Sequence, residues 1–197
     1  VEIAGCCNAI LKRDDGSLFG QIFDGEGFAA ALANEGFAVP GKRALIIGCG
    51  GMGSAIAAAL ASRQIGSLSL YDTQHRSASA LGDRLAEHFP TLEIRTGRAE
   101  PEDHDLVVNA SPLGLKDDDP LPLDISQLSP AMMVSDVVLA RAATPLLSSA
   151  AAKGCRTLAG IDVLYEQIPA HLALFGFPPA TSKELRMIVR GDDAHDS

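Results

Sequence analysis

With 197 residues, 47% of them hydrophobic, the chain is too apolar to remain disordered, and it is long enough for one full α/β sheet with little beyond it. Sixteen Lys and Arg stand against 25 Asp and Glu, a formal net charge of -9 without any basic run, which argues against nucleic acid or an anionic membrane as a direct partner. Cys6, Cys7, Cys49 and Cys155 form neither a CxxC pair nor the spacing of a zinc site or a disulfide framework, so a reducing, cytoplasmic setting and no metal are expected.

The chain opens on Val1 with no charged segment leading into an apolar one, and is read as a processed or excised piece without a signal peptide. Residues 8–13 predict a strand ending in the turn Asp14-Asp15-Gly16, and 25–35 predict a helix closed by Gly36. From residue 43 onward, short apolar runs alternate with helical patterns. Strands are expected at 43–47, 67–71, 92–95, 106–108, 132–137 and 156–158, with helices at 52–63, 75–88 and 144–153. This is the pattern of a doubly wound, parallel, six-stranded sheet of the Rossmann type. Residues 110–130, with four prolines and the acidic triplet Asp117 to Asp119, predict a loop with at most a short helix, the triplet being a solvated face. Ile161, Leu164, Ile168, Leu172 and Phe175 recur at helical spacing with Pro169 as a kink. Thr181 and Glu184 form a capping box for a last helix reaching about 190, before a tail that frays.

The uncharged run 44–62 is long enough to cross a bilayer, but Gly48, Gly50, Gly51 and Gly53 break it into strand, turn and helix. Gly48-Cys49-Gly50-Gly51-Met52-Gly53 stands where a tight turn, close approach of a pyrophosphate and close helix packing each forbid a side chain. A second strand then ends in Asp72, 19 residues beyond Gly53. A carboxylate there can accept hydrogen bonds from the adenosine ribose and repel a 2′-phosphate, which favours NAD, whereas His75 and Arg76 lie near enough in sequence to meet that phosphate and keep NADP open. The plainer alternative is an ordinary strand-to-helix turn with Asp72 capping the next helix.

These residues resemble the shikimate dehydrogenase family, and its motifs follow in order. Gly5-Cys6-Cys7-Asn8-Ala9 looks like the family's substrate strand, and the segment Gly20 to Phe28 resembles the one that carries the catalytic Asp, here Asp24. After the glycine turn come Asn109-Ala110-Ser111-Pro112-Leu113-Gly114, then Asp136-Val137-Val138 with Thr144-Pro145-Leu146-Leu147. Gly160 to Gln167 is similar to the segment where a Gly lies near the nicotinamide and a Gln reaches the substrate. The resemblance implies an NAD(P)-dependent oxidoreductase that transfers hydride between nicotinamide and a cyclic hydroxy acid of the shikimate or quinate type. Asp24 is then catalytic. Asn8 and Gln167 are substrate-binding. Gly48, Gly50, Gly51, Met52, Gly53, Asp72, Asn109, Ala110, Ser111, Val137 and Gly160 are cofactor-binding.

The resemblance also implies three regions: 1–24 as the end of a substrate domain, 25–159 as the nucleotide domain, and 160–197 as helices returning to the substrate domain. The Lys that members pair with the Asp lies upstream of the Asn strand, so this chain is expected to be the C-terminal part of a longer one, binding NAD with little turnover of its own. Ile22-Phe23 replace the family's Asn-Thr, Leu139 and Arg141 replace its Tyr and Pro, and Asp72-Thr73-Gln74 replace the Asn-Arg-Thr associated with NADP. Arg141 offers a bidentate grip on a carboxylate. A non-catalytic ligand-sensing homologue is the alternative function. Oligomeric state is left open, a homodimer included. Each residue also has a plainer role: Asn8 in a turn, Asp24 as N-cap, Gln167 in solvent, Tyr165 and His171 as surface or core groups.

Overall fold

The computed structural model describes residues 1–139 and 143–192, the side chains of 190–192 aside, so Arg141 lies outside the described residues. Six strands, β3 (Arg43–Ile47), β4 (Ser67–Tyr71), β5 (Glu93–Thr96), β6 (Leu106–Asn109), β7 (Met133–Asp136) and β8 (Arg156–Ala159), form one sheet. They lie in the order β5-β4-β3-β6-β7-β8 and every neighbouring pair is parallel. This is the doubly wound order, with its reversal between β3 and β6. The strands carry apolar residues on both faces because both are covered. Ile46, Leu68, Leu70 and Val108 pack with α1 (Asp24–Asn34), α2 (Gly51–Ser62) and α3 (His75–His88). Leu45, Ile47, Val107 and Val134 pack on the other face with α4 (Pro145–Ala152) and the 3₁₀ turn Ile125–Gln127.

Ahead of this sheet, β1 (Ala9–Lys12) pairs antiparallel with β2 (Leu18–Gln21) as a separate hairpin. The sequence pattern anticipates β1 and its turn but not β2. After the sheet come α5 (Gly160–Leu174), which runs through Pro169, and α6 (Ser182–Asp192). The capping box forms in both directions: Thr181 Oγ1 accepts from the Glu184 amide at 3.2 Å, and Glu184 accepts from the Thr181 amide at 2.7 Å. Arg186 fastens α6 to α5 through Asp162 and Glu166, at 3.2 and 3.3 Å. Among the described residues no helix is long and apolar enough to cross a membrane.

Candidate functional site

Strand register builds the site. Ile47 is paired with Tyr71 and with Asn109, Asn109 with Asp136, and Asp136 with Ala159. The next residue of each strand therefore falls in one row along the carboxyl edge of the sheet: Asp72, Gly48, Ala110, Val137 and Gly160. All five stand in the row that the switch point makes into a ligand crevice.

The glycine turn fits a phosphate cradle. Gly48 has φ +95°, and a Cβ on it would meet the backbone of Ala110 and Ser111 at 2.6 Å. One on Gly53 would strike the Gly48 carbonyl, while one on Gly50 would project into open space. The first and third motif glycines thus close the turn, and the middle one leaves room for a ligand at the N-terminus of α2. Met52 is half-buried behind it. Asp72 is locked to the turn, for one oxygen accepts from the Cys49 amide and the other from the Gln74 amide, each at 2.8 Å. Burial and the neighbouring Asp72 carboxylate push the Cys49 thiol up to about 12, so it has no nucleophilic character. A cleft of about 540 Å³ opens here between Gly48, Gly50, Asp72, Ser111, Leu113 and Leu121. A larger depression of about 740 Å³ runs along β4 and β5, where most of the charges are already paired, Arg43 with Asp103, Arg95 with Glu93 and Arg98 with Glu100.

Asn109 turns inward. It is fully buried, its amide nitrogen donating to Asp136 at 3.0 Å and to the Leu113 carbonyl at 2.9 Å, and its oxygen accepting from the Ser111 amide and hydroxyl. Asp136 in turn accepts from the Thr144 hydroxyl at 2.6 Å, and burial pushes its carboxyl up against those hydrogen bonds. The network holds loop 110–114 against the glycine turn, so Asn109 shapes the cleft from behind. Gly160 likewise serves packing, since a Cβ there would meet the Val137 backbone at 2.6 Å.

A second cluster adjoins the turn. Asn8 donates from its amide to Asp24 at 2.8 Å and accepts from the Phe23 amide at 3.1 Å. Phe23, not Asp24, is the N-cap of α1, and no side chain caps it; the N-cap reading of Asp24 fails because its carboxylate turns to Asn8 from the first helical turn. Gln167 is 6% exposed, and its side chain packs where Gly27 has none, so the solvated reading fails too. Burial pushes the Asp24 carboxyl up; the Asn8 hydrogen bond, the charge of His171 and the Gln167 side chain pull it part of the way back. His171, read from sequence as a surface or core group, packs against Phe23 with the rings tilted by 59° and their centroids 4.6 Å apart, and has Nδ1 3.0 Å from the Gln167 carbonyl. Its signal in the sequence is the i,i+4 spacing from Gln167 on one helix face. Cys6 joins the two clusters, with Sγ 3.6 Å from the Gly51 carbonyl. Among the described residues no group of three or more His, Cys, Asp or Glu side chains could hold a metal ion.

The fold and this row of residues define an α/β protein of the dinucleotide-binding class. No protein-family model matches the chain. It is 34% identical over 190 residues to the shikimate dehydrogenase (NADP(+)) of Acidiphilium cryptum, covering 96% of this chain and 67% of that protein. With the enzyme of the same name from Rhodospirillum rubrum it shares 33% over 194 residues, or 95% and 69% of the two chains. Among solved structures, quinate dehydrogenase from Corynebacterium glutamicum in complex with NAD matches at 28% identity and a TM-score of 0.83, covering 95% of this chain and 69% of that one. Shikimate 5-dehydrogenase from Listeria monocytogenes, in complex with shikimate and NAD, matches at 25% and 0.81 with the same coverage. The chain belongs to the shikimate dehydrogenase family of oxidoreductases, and it spans about two thirds of the length of these relatives.

Proposed function

We propose that this chain supplies the nucleotide site and part of the substrate site for hydride transfer between a nicotinamide coenzyme and a cyclic hydroxy acid of the shikimate or quinate type. The observation that carries this reading is the row Asp72, Gly48, Ala110, Val137 and Gly160 with the Asn8–Asp24–Gln167 cluster joined to it through Cys6 and Gly51. Residues 1–24 and 160–192 then serve the substrate side, and 25–159 the nucleotide side.

The nicotinamide, when bound, supplies the hydride acceptor or donor. The protein's part is to hold the coenzyme and move a proton. The amides at the N-terminus of α2 receive the pyrophosphate, with Gly50 leaving its path open. Asp72, fixed by two backbone amides, accepts from the ribose hydroxyls and repels a 2′-phosphate, which supports NAD over NADP although the curated relatives are named for NADP(+). In the oxidising direction Asp24 would accept the proton of the substrate hydroxyl, and in the reducing direction its carboxyl would return it. Asn8 and the Gln167 side chain both hydrogen-bond the Asp24 carboxylate and so orient it. Phe23, packed on the His171 ring, gives this side of the site an apolar wall, which supports a substrate that is less hydroxylated there. The paired Asn8 and Asp24 favour turnover over a sensing role, in which a proton-transfer group has no use.

Calorimetric titration with NAD and NADP separately, followed by a screen of shikimate, quinate and amino analogues with wild type and Asp24→Asn, tests the reading. We expect NAD to bind at least tenfold more tightly than NADP, and any turnover to fall by 10² or more in Asp24→Asn. Tighter NADP, or full activity of Asp24→Asn, overturns it.

A further inference from the structure

One edge of the large sheet is left unpaired. The strand β5, Glu93-Ile94-Arg95-Thr96, ends the order β5-β4-β3-β6-β7-β8, and among the described residues no strand lies beyond it. In a parallel ladder the N–H and C=O of one residue point to the same side, and successive residues alternate. The Gly97 amide donates to the Leu70 carbonyl of β4 at 3.2 Å, so Glu93, Arg95 and Gly97 turn their backbone toward β4. The amides and carbonyls of Ile94 and Thr96 therefore point outward along the free edge. Such an edge is a template for another strand.

The charges on this edge are complementary to themselves. Glu93 and Arg95 stand on the open face of the sheet beside Ser67 and Ser69 of β4, both exposed, with Arg95 Nε 2.9 Å from the Glu93 carboxylate. An exposed pair contributes little, so exchanging it for another pair costs little. About a two-fold axis through Ile94, an antiparallel copy of β5 sets Ile94 opposite Ile94 as a hydrogen-bonded pair. Glu93 then lies opposite Arg95 of the second copy, and Arg95 opposite its Glu93, as non-hydrogen-bonded pairs, the arrangement in which side chains come nearest. An axis one residue away would set Glu93 against Glu93 or Arg95 against Arg95, so the charges select one register. On the other face the neighbours are small: Ser79, Gly82 and Ala86 of α3 leave a hollow of about 280 Å³ beside Ile94 and Thr96.

We propose that β5 is the interface through which a second copy of this chain joins the sheet, giving an isologous dimer in which two six-stranded sheets run on as one. The self-complementary order of Glu93 and Arg95 is what selects a second copy over a foreign strand. The contact is small, so the dimer is weak and depends on concentration. It shares no residue with the nucleotide cleft or with the Asn8–Asp24–Gln167 cluster, and stands apart from the function proposed above.

The test is sedimentation equilibrium of this chain over a concentration series, for wild type, Arg95→Glu, Glu93→Arg and an equimolar mixture of the two variants. Amide hydrogen exchange of the wild type, read by NMR over the same series, needs neither variant. We expect a monomer–dimer equilibrium in the wild type. Each variant should weaken it by about tenfold or more, because each sets like charges opposite one another across the axis. In the mixture every acidic side chain at these positions meets a basic one again, so dimers should return to within about threefold of the wild-type constant. The Ile94 and Thr96 amides should exchange more slowly as concentration rises. Both substitutions replace exposed side chains, and circular dichroism of each variant checks its fold. A wild type that stays monomeric throughout, its edge then left to an extended segment of another protein, overturns the proposal. So does a dimer that neither variant weakens, a mixture that fails to associate, or a dimer whose Ile94 and Thr96 amides gain no protection.

Discussion

Replacing Thr144 by Val removes one oxygen that serves two masters, and the two losses separate by pH. The hydroxyl caps α4, accepting from the Leu147 amide at 3.3 Å, and it donates to Asp136 at 2.6 Å; both Thr144 and Asp136 are buried. Loss of the cap costs about 1 kcal/mol at any pH. Loss of the donor leaves a buried carboxylate one charge-assisted bond short, worth about 1.5–3 kcal/mol, but only while that carboxylate is ionised. Burial already raises the folded pKa of Asp136 above its unfolded value. The stability linked to that shift is therefore present below the unfolded pKa and is lost as pH rises through the folded one. Thr144→Val raises the folded pKa further, so the deficit widens with pH. Urea unfolding followed by circular dichroism should show Thr144→Val destabilised by about 2.5–4 kcal/mol at pH 7.5 and about 1 kcal/mol at pH 4. At the higher pH this corresponds to a fall in Tm of about 5–15 °C. Thr144→Ser, which keeps both bonds, should lose less than about 1 kcal/mol at either pH. Equal destabilisation of Thr144→Val at both pH values would refute the assignment of Asp136 as an ionised, hydroxyl-dependent anchor of loop 110–114.

Gly53→Ala drives a methyl group into the Gly48 carbonyl, so it should cost about 1–3 kcal/mol and weaken NAD binding at least tenfold by calorimetry, whereas Gly50→Ala, facing open space, should leave stability unchanged and weaken NAD alone. Asp72→Ser removes the anion from the cleft, and the NADP-to-NAD affinity ratio should rise by about tenfold or more in the same titration. Iodoacetamide at pH 8 should label exposed Cys7 first and spare Cys49, whose thiol at about 12 leaves about one part in 10⁴ as thiolate; mass spectrometry of tryptic peptides reads the order.

Much of this fold was legible because its signals are local. The apolar strand before Gly48, the glycine turn and the Ala-rich helix after it occupy consecutive residues, and β3 and α2 lie within one residue of their expected bounds. The strand β2 was not legible, for it has four residues, includes Gly20 and shows Leu18 to solvent at 69% exposure, so no alternation betrays it. What makes it a strand is its partner, Asp15 having closed the turn by accepting from the Ser17 amide at 2.9 Å.

The site divides along the same line. Which residues follow each strand can be read from the sequence, and parallel register then lines up Asp72, Gly48, Ala110, Val137 and Gly160 without further information. Side-chain direction is another matter. Asn109 is the last residue of β6, beside the cleft, yet its amide points back to Asp136, 27 residues away, because strand β7 places an acceptor there and the cleft does not. His171 shows the converse. Nothing near it in sequence announces Phe23, 148 residues earlier, and the two rings meet because Gly27 lets α5 lie close enough on α1 for Gln167 to pack in the space a side chain would fill. A methyl group at position 27 would meet the Gln167 side chain and the Val163 carbonyl and push α5 away from α1. The glycine that reads as a flaw in a helix is what lets α1 and α5 meet, and Gly27→Ala should therefore cost about 1–3 kcal/mol in urea unfolding while leaving the glycine turn and its nucleotide affinity unchanged.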